Sequence, residues 1–183
     1  MESLGLIFEV HPPLVDEEAL KREGPRDLVE LTRYLSKAKA QSLAQRFPQA
    51  VILGSDQLAD AQGQRLDKPG GRERAINQLL QLQGKSHRLI TSLCVLSNTQ
   101  AMVLTDITQI QMRSLKRADI EAYVDLDQPF DCAGSYKIER AGMGLVEKID
   151  SQDPSSIQGL PLISLISALL KLGFQPQQFW SRS

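Results

Sequence analysis

Aromatic residues make up only 5% of the 183-residue sequence, cysteine and histidine occur twice each, and neither sign of charge dominates. So few aromatic rings argue against a stacking platform for single-stranded nucleic acid. A formal net charge of -1, from 21 basic and 22 acidic residues, lacks the basic field that a nucleic-acid polymer needs. An anionic ligand would have to meet positive charge gathered locally. Cys94 and Cys132 lie in apolar runs without metal-ligand spacing or the density of a secreted disulfide scaffold, and are expected as reduced core residues. His11 and His87 form neither HExxH nor a ligand pair, so no zinc site is expected. The absence of GxxxxGK[ST] excludes a P-loop ATPase, and no GxGxxG follows a strand to bind a dinucleotide. Ser155 and Ser156 lack the glycine-flanked elbow of a serine hydrolase. No apolar run approaches the ~20 residues of a membrane-spanning helix. No signal-peptide pattern is present either. The expected compartment is therefore the cytoplasm, with no membrane partner.

What remains is ordinary for a globular protein, with 42% hydrophobic and 23% charged residues, read as one domain over 1–183. Met1 to Leu6 reads as the last turn of a helix ended by Gly5, and Ile7, Phe8 and Val10 as a short strand stopped by Pro12 and Pro13. Asp16 to Gly24 reads as a loop, and Pro25 as the first turn of a helix to about Gln45. The apolar run Ala50 to Leu53 predicts a buried central strand, with Gly54, Ser55, Asp56 and Gln57 just beyond its carboxyl end. A hairpin near Gly63, a helix over 72–82 and two alternating strands joined at Ser97 to Gln100 follow. Next come a short helix capped by Ser114, a strand or turn at Cys132 to Tyr136, a strand near Val146, a polar loop over 150–158 and an apolar helix over 160–172. Phe174, Phe179 and Trp180 are placed to fold back onto the domain. The class is α/β.

Asp56 follows buried apolar residues directly. A carboxylate there coordinates a cation, orients a basic partner, activates water or accepts from nearby backbone amides. Lys39, eleven residues after Leu28 on the same helix, stands about 20° from the apolar stripe, so its stem snorkels or its charge aims into a cleft. Lys68, in a Pro-Gly-Gly turn, is a compact charge suited to phosphate oxygens, although a loop lysine is commonly just solvated. Asp16 and Glu17, Lys137 and Glu139, and Asp153 complete a scatter of acids and lysines. Lys137 and Glu139 would share one side of a strand. Such a set suits a magnesium-bridged polyphosphate, or is plain surface charge.

Taken in order, these loops resemble the Maf family of nucleoside triphosphate pyrophosphatases, and more narrowly its bacterial branch associated with 7-methyl-GTP. The matching segments are VDE at 15–17, KAQSLA at 39–44, GSDQ at 54–57, DKPG at 67–70, DCAGSYKIE at 131–139 and DPSSIQGLPL at 153–162. Each is weak alone, and the ordered set is specific. The resemblance implies a mixed twisted sheet with flanking helices, two lobes around a deep cleft, and often a homodimer. It implies hydrolysis of a small-molecule nucleotide between the α and β phosphates, with a divalent cation, Mg²⁺ or Mn²⁺. Asp56 would accept the proton, Glu17 and Asp56 would hold the metal, and Lys39, Lys68 and Lys137 would face the phosphates. Gln57 and Glu139 match positions tied to base choice.

The sequence departs from the family pattern at its start. The family's first strand, its Ser-x-Ser-Pro-x-Arg-Arg loop and most of the first helix have no counterpart here, so a start assigned too far downstream is expected, and an upstream-extended chain should be more stable and more active. The alternatives are a pyrimidine-selective or broad-range pyrophosphatase of the same family, and a truncated, non-catalytic nucleotide-binding regulator.

Overall fold

The computed structural model describes residues 5–98 and 100–179. Helices α1 (Glu17–Glu23) and α2 (Leu28–Gln41) precede β1 (Ile52–Ala61) and β2 (Gln64–Leu66). Helix α3 (Arg72–Leu82), β3 (Ser86–Leu96), β4 (Ala101–Met112) and α4 (Arg117–Asp127) follow, and β5 (Val146–Asp150) and α5 (Leu162–Lys171) close the chain. The sheet order is β2-β1-β3-β4-β5, and every pairing among the described residues is antiparallel. A twisted sheet flanked by helices is thus present, as expected, with β3 at its centre.

Register places the core. Side chains alternate across a strand, so Leu53, Ala59, Leu89, Leu93 and Val95 share one face of the sheet, and Ile52, Leu58, Ile90 and Cys94 the other. The second face is covered by α2 through Leu31, Leu35 and Ala40, all at most 2% exposed. Such side chains contribute about 1.5–3 kcal/mol each when fully buried. Gly54 permits that contact: a Cβ there would stand 2.3 Å from the Ser36 carbonyl oxygen and 2.6 Å from the Ala40 nitrogen. The first face carries two separate apolar cores. Leu89 and Ala59 pack with α3 and α4, whereas Leu93 and Val95 pack with α5 and Phe179.

Between those cores a polar row crosses three strands. Gln57, Thr91 and Asp106 pair abreast on β1, β3 and β4, and Asp56, Ser92 and Thr105 pair abreast on the opposite face. The 3₁₀ turn Pro154–Gln158 lies over the first of these rows, tied to β1 where the Ser55 hydroxyl donates to the Gly159 carbonyl at 2.6 Å.

Several expectations are corrected. Residues 6–13 form no strand, and Ile7 and Val10 are 92% and 81% exposed. Asp16 to Gly24 is not a loop, because Asp16 accepts from the Ala19 amide and caps α1, whose acids and bases suit its two ends. α2 opens at Leu28 and not at Pro25, because Asp27 caps it by accepting from the Val29 and Glu30 amides. β1 runs on through the polar GSDQ segment, so Asp56 sits within a strand rather than beyond its end. Ser114 does not cap α4; Asp119 accepts from the Lys116 amide instead. Lys137 lies in an irregular segment and Glu139 in the turn after it, neither on a strand. The helix end at Met1 to Leu4 and the packing of Trp180 lie outside the described residues; Phe174 and Phe179 do fold back.

Candidate active site

The chemistry-bearing cluster lies between α2, the start of α1 and the middle of β1. Lys39 donates to Asp56 Oδ1 at 2.7 Å and lies 3.1 Å from Glu17 Oε2. Each partner comes from a separate element. The Asp16 cap starts α1 so that Glu17 opens it. The close approach at Gly54 seats α2 on the strand and brings Lys39 over Asp56.

Exposure falls from Glu17 inward, the Asp56 side chain being only 5% exposed. Burial pushes the Asp56 carboxyl up against the opposing pull of Lys39, and Glu17 adds to the rise. Burial also works against the ionised form of Glu17, but Lys39, Lys21 and Lys68 overcome it and hold that carboxyl below its ordinary value. For Lys39 burial favours the neutral amine, and the two carboxylates outweigh it, so the ammonium is held above its usual range. Oδ2 of Asp56 is buried and has no hydrogen-bond partner among the described residues. An ionised carboxylate with one oxygen spent on a lysine and the other unsatisfied has capacity for a water, a proton or a cation.

Lys68 links this cluster to the other face of the sheet. It is exposed, it acts on the Glu17 charge, and it lines a cavity of about 490 Å³ together with Gln57, Leu89, Tyr136, Ile138 and Glu139. The cavity pairs an apolar wall with an amide and a carboxylate, a combination suited to a flat heteroaromatic ligand. A larger cavity of about 800 Å³ lies beside residues 6–11, walled chiefly by Phe8, Val51, Leu53, Leu169 and Phe174, and holds none of the lysines.

Of the residues singled out from sequence, Asp56, Lys39 and Glu17 come into direct contact. Lys68, Gln57 and Glu139 converge on the adjoining cavity. Lys137 pairs with Asp131, which lines the same cavity as Lys68; its ammonium lies 3.2 Å from Asp131 and 3.5 Å from the Gln128 carbonyl. Asp153 is 3% exposed and structural, accepting from the Ser155 hydroxyl and from the Ser164 amide in the first turn of α5. Sequence reasoning gave no site role to Thr91 and Ser156, which hold Gln57, or to Asp106, which stands in line with Thr91 and Gln57. Asp106 is the one acidic residue of β4 and Thr91 lies within β3, a weak signal in strands that carry other polar residues.

Among the described residues no three or more His, Cys, Asp or Glu side chains are grouped to hold a metal. Two carboxylates around a lysine, one with an unpartnered oxygen, nonetheless fit a small divalent cation. That ion takes one or two protein carboxylates and draws its other ligands from phosphates and water. No helix among the described residues is long and apolar enough to cross a membrane.

The family model for Maf-like proteins matches residues 1–172. A Bdellovibrio bacteriovorus protein named 7-methyl-GTP pyrophosphatase is 46% identical over 167 residues, covering 90% of this chain and 86% of the relative. Proteins of the same name from Xanthomonas axonopodis and Cupriavidus pinatubonensis are each 41% identical, over 172 and 177 residues. The match covers 94% and 95% of this chain, and 89% and 87% of those relatives.

Proposed function

Because the chain belongs to the Maf family, hydrolases acting on nucleotide pyrophosphate bonds, we propose that it cleaves 7-methyl-GTP to 7-methyl-GMP and diphosphate. The observation that carries this reading is the Glu17–Lys39–Asp56 cluster, joined through Lys68 to a base-sized cavity that ends in Gln57 and Glu139.

Asp56 is the base. Its carboxyl is raised by burial. That makes it a better proton acceptor than an ordinary aspartate. Oδ2, the oxygen not spent on Lys39, takes the proton from the attacking water as the water oxygen bonds to phosphorus and the α–β bridging bond breaks. The electrons of that bond leave with diphosphate. Lys39 fixes the carboxylate in place through Oδ1 and adds positive charge beside the reacting phosphates. Lys68 neutralises oxygens further along the triphosphate. Charge aimed in advance at where negative charge develops is worth on the order of 10²–10³ in rate per group. Glu17 and Asp56 would hold a divalent cation, Mg²⁺ or Mn²⁺, which when bound supplies charge neutralisation to the triphosphate.

In the cavity, Leu89, Tyr136 and Ile138 give the nucleobase an apolar wall. N7-methylation makes guanine cationic. The exposed carboxylate of Glu139 complements that charge, and an unmethylated purine would lose it. Lys137, held beside the cavity by Asp131, is assigned to the phosphates furthest from the base.

The test is a panel of 7-methyl-GTP, GTP, UTP and dTTP, with products separated chromatographically. The expected result is monophosphate plus diphosphate, fastest from 7-methyl-GTP. Preference for a pyrimidine would overturn the assignment of Gln57 and Glu139. Diphosphate nucleosides with free phosphate as products would overturn the reaction itself.

A further inference from the structure

The side chain of Gln57 is held by a buried apparatus that starts at Asp106. On β4, Asp106 is 7% exposed and stands abreast of Thr91 and Gln57. Its Oδ2 accepts from Thr108 at 3.0 Å, from Ser151 at 3.2 Å and from the Ser156 hydroxyl, and its Oδ1 accepts from the Asp153 amide at 3.2 Å. Three hydroxyls and one amide therefore converge on one carboxylate beneath the Pro154–Gln158 turn. A carboxylate only accepts, so it dictates the direction of each of those donors.

Ser156 passes the constraint on. Its carbonyl accepts from Gln57 Nε2 at 2.8 Å and from the Thr91 hydroxyl at 3.1 Å, while Gln57 Nε2 also lies 2.8 Å from Thr91 Oγ1. A carbonyl cannot donate, so the amide nitrogen of Gln57 must face Ser156, which leaves Oε1 as the end offered to the cavity that Gln57 lines. The amide orientation, and with it the identity of the group shown to a ligand, follows from where the turn sits.

We infer that Asp106 is a positioning residue for base selection: it holds the Pro154–Gln158 turn in register, so that Ser156 locks Gln57 with an acceptor oxygen facing the N–H donors of the nucleobase. Asp106 acts on the face of the sheet opposite Asp56, so it governs recognition and leaves the hydrolytic cluster alone. The inference rests on the reading of the adjoining cavity as the nucleobase site.

The experiment compares wild type with Asp106→Ala, Asp106→Asn, Ser156→Ala and Gln57→Ala, and with the double variant Asp106→Ala/Gln57→Ala. It uses kinetics for 7-methyl-GTP and GTP, and calorimetric titration with 7-methyl-GMP and GMP, which reads binding without turnover. Asp106→Ala is expected to raise KM for 7-methyl-GTP about tenfold with kcat changed less than about threefold, and to narrow the preference over GTP by a similar factor. Asp106→Asn, which keeps one acceptor oxygen, falls between. Ser156→Ala, which keeps the carbonyl and cuts only the hydroxyl link, shifts selectivity the same way by less and remains informative should Asp106→Ala not fold. The double variant should be no less selective than Gln57→Ala, since Asp106 acts through Gln57; additive losses would mean a general structural role and overturn the inference. A selective wild type whose selectivity survives Asp106→Ala and Ser156→Ala overturns this inference alone. A wild type with no base preference in either assay overturns it together with the nucleobase reading of the cavity.

Discussion

Replacing Lys39 by methionine keeps the apolar stem and deletes the charge that two carboxylates share. In the folded protein the ammonium is 2.7 Å from a nearly buried Asp56 and 3.1 Å from a partly exposed Glu17. Removing one partner of a buried pair costs about 3–5 kcal/mol, because the remaining charge is stranded. Glu17 is 38% exposed and water can solvate it, so the lower end, about 3 kcal/mol, applies. For a domain of this size that lowers the melting temperature by roughly 6–12 °C. The sign with pH is specific. Asp56 is already pushed up by burial, so the fold favours its protonated form and this residue's contribution to stability falls as pH rises through its folded pKa. Without Lys39 that pKa moves higher still, so the variant is penalised most at neutral pH and recovers as the carboxyl takes up a proton on acidification. Thermal or urea unfolding of both proteins at pH 7 and near pH 4.5 measures this, and the gap should shrink at the lower pH. A gap that is the same at both values, or absent at pH 7, refutes the reasoning. Activity should also drop on the order of a hundredfold.

Four further outcomes are expected. Gly54→Ala drives a Cβ into the α2 backbone at Ser36 and Ala40, costing about 3 kcal/mol by overpacking and lowering turnover by moving Lys39; chemical denaturation checks the first and diphosphate release the second. Asp16→Ala removes the cap of the helix that carries Glu17, with a loss of about 1 kcal/mol and a weaker response of rate to added Mg²⁺. His87, fully buried beside Tyr136 and with its Nδ1 lacking a partner among the described residues, is held down to about 4 by burial. Its neutral ring therefore contributes stability that is present above 6.5 and lost as pH falls toward 4; NMR titration should find it uncharged at pH 5. In the cluster, Glu17 is lowered from 4.5 and Lys39 raised from 10.5, so their joint contribution should hold between those values and fade outside them, as unfolding across pH would register.

Much of the site was legible from residue order. Asp56 stood out because a carboxylate directly behind an apolar run has to be used, and Lys39 because helical spacing set it beside a buried stripe. What misled was the polar GSDQ segment, which reads as the end of a strand. It is the middle of one, because each face of the sheet has a polar row at that level, with a helix or a turn laid over it. Those rows depend on strand register, which no single segment encodes. For the same reason Asp106 looked like an ordinary strand residue until pairing set it in line with Thr91 and Gln57. The loop expected over 16–24 became a helix because one aspartate caps it and Lys21 pairs with Glu17 and Glu18 on its surface, short-range effects that a polar composition hides. Lys137 and Glu139, expected to share one side of a strand, lie on none, and Lys137 pairs with Asp131.

The most direct measurement is diphosphate release from 7-methyl-GTP by Asp56→Asn, alongside calorimetric binding of the same nucleotide. Asparagine keeps the shape and cannot take the proton, so turnover should fall at least a hundredfold while the nucleotide still binds. Turnover near the wild-type rate would contradict the account at its root.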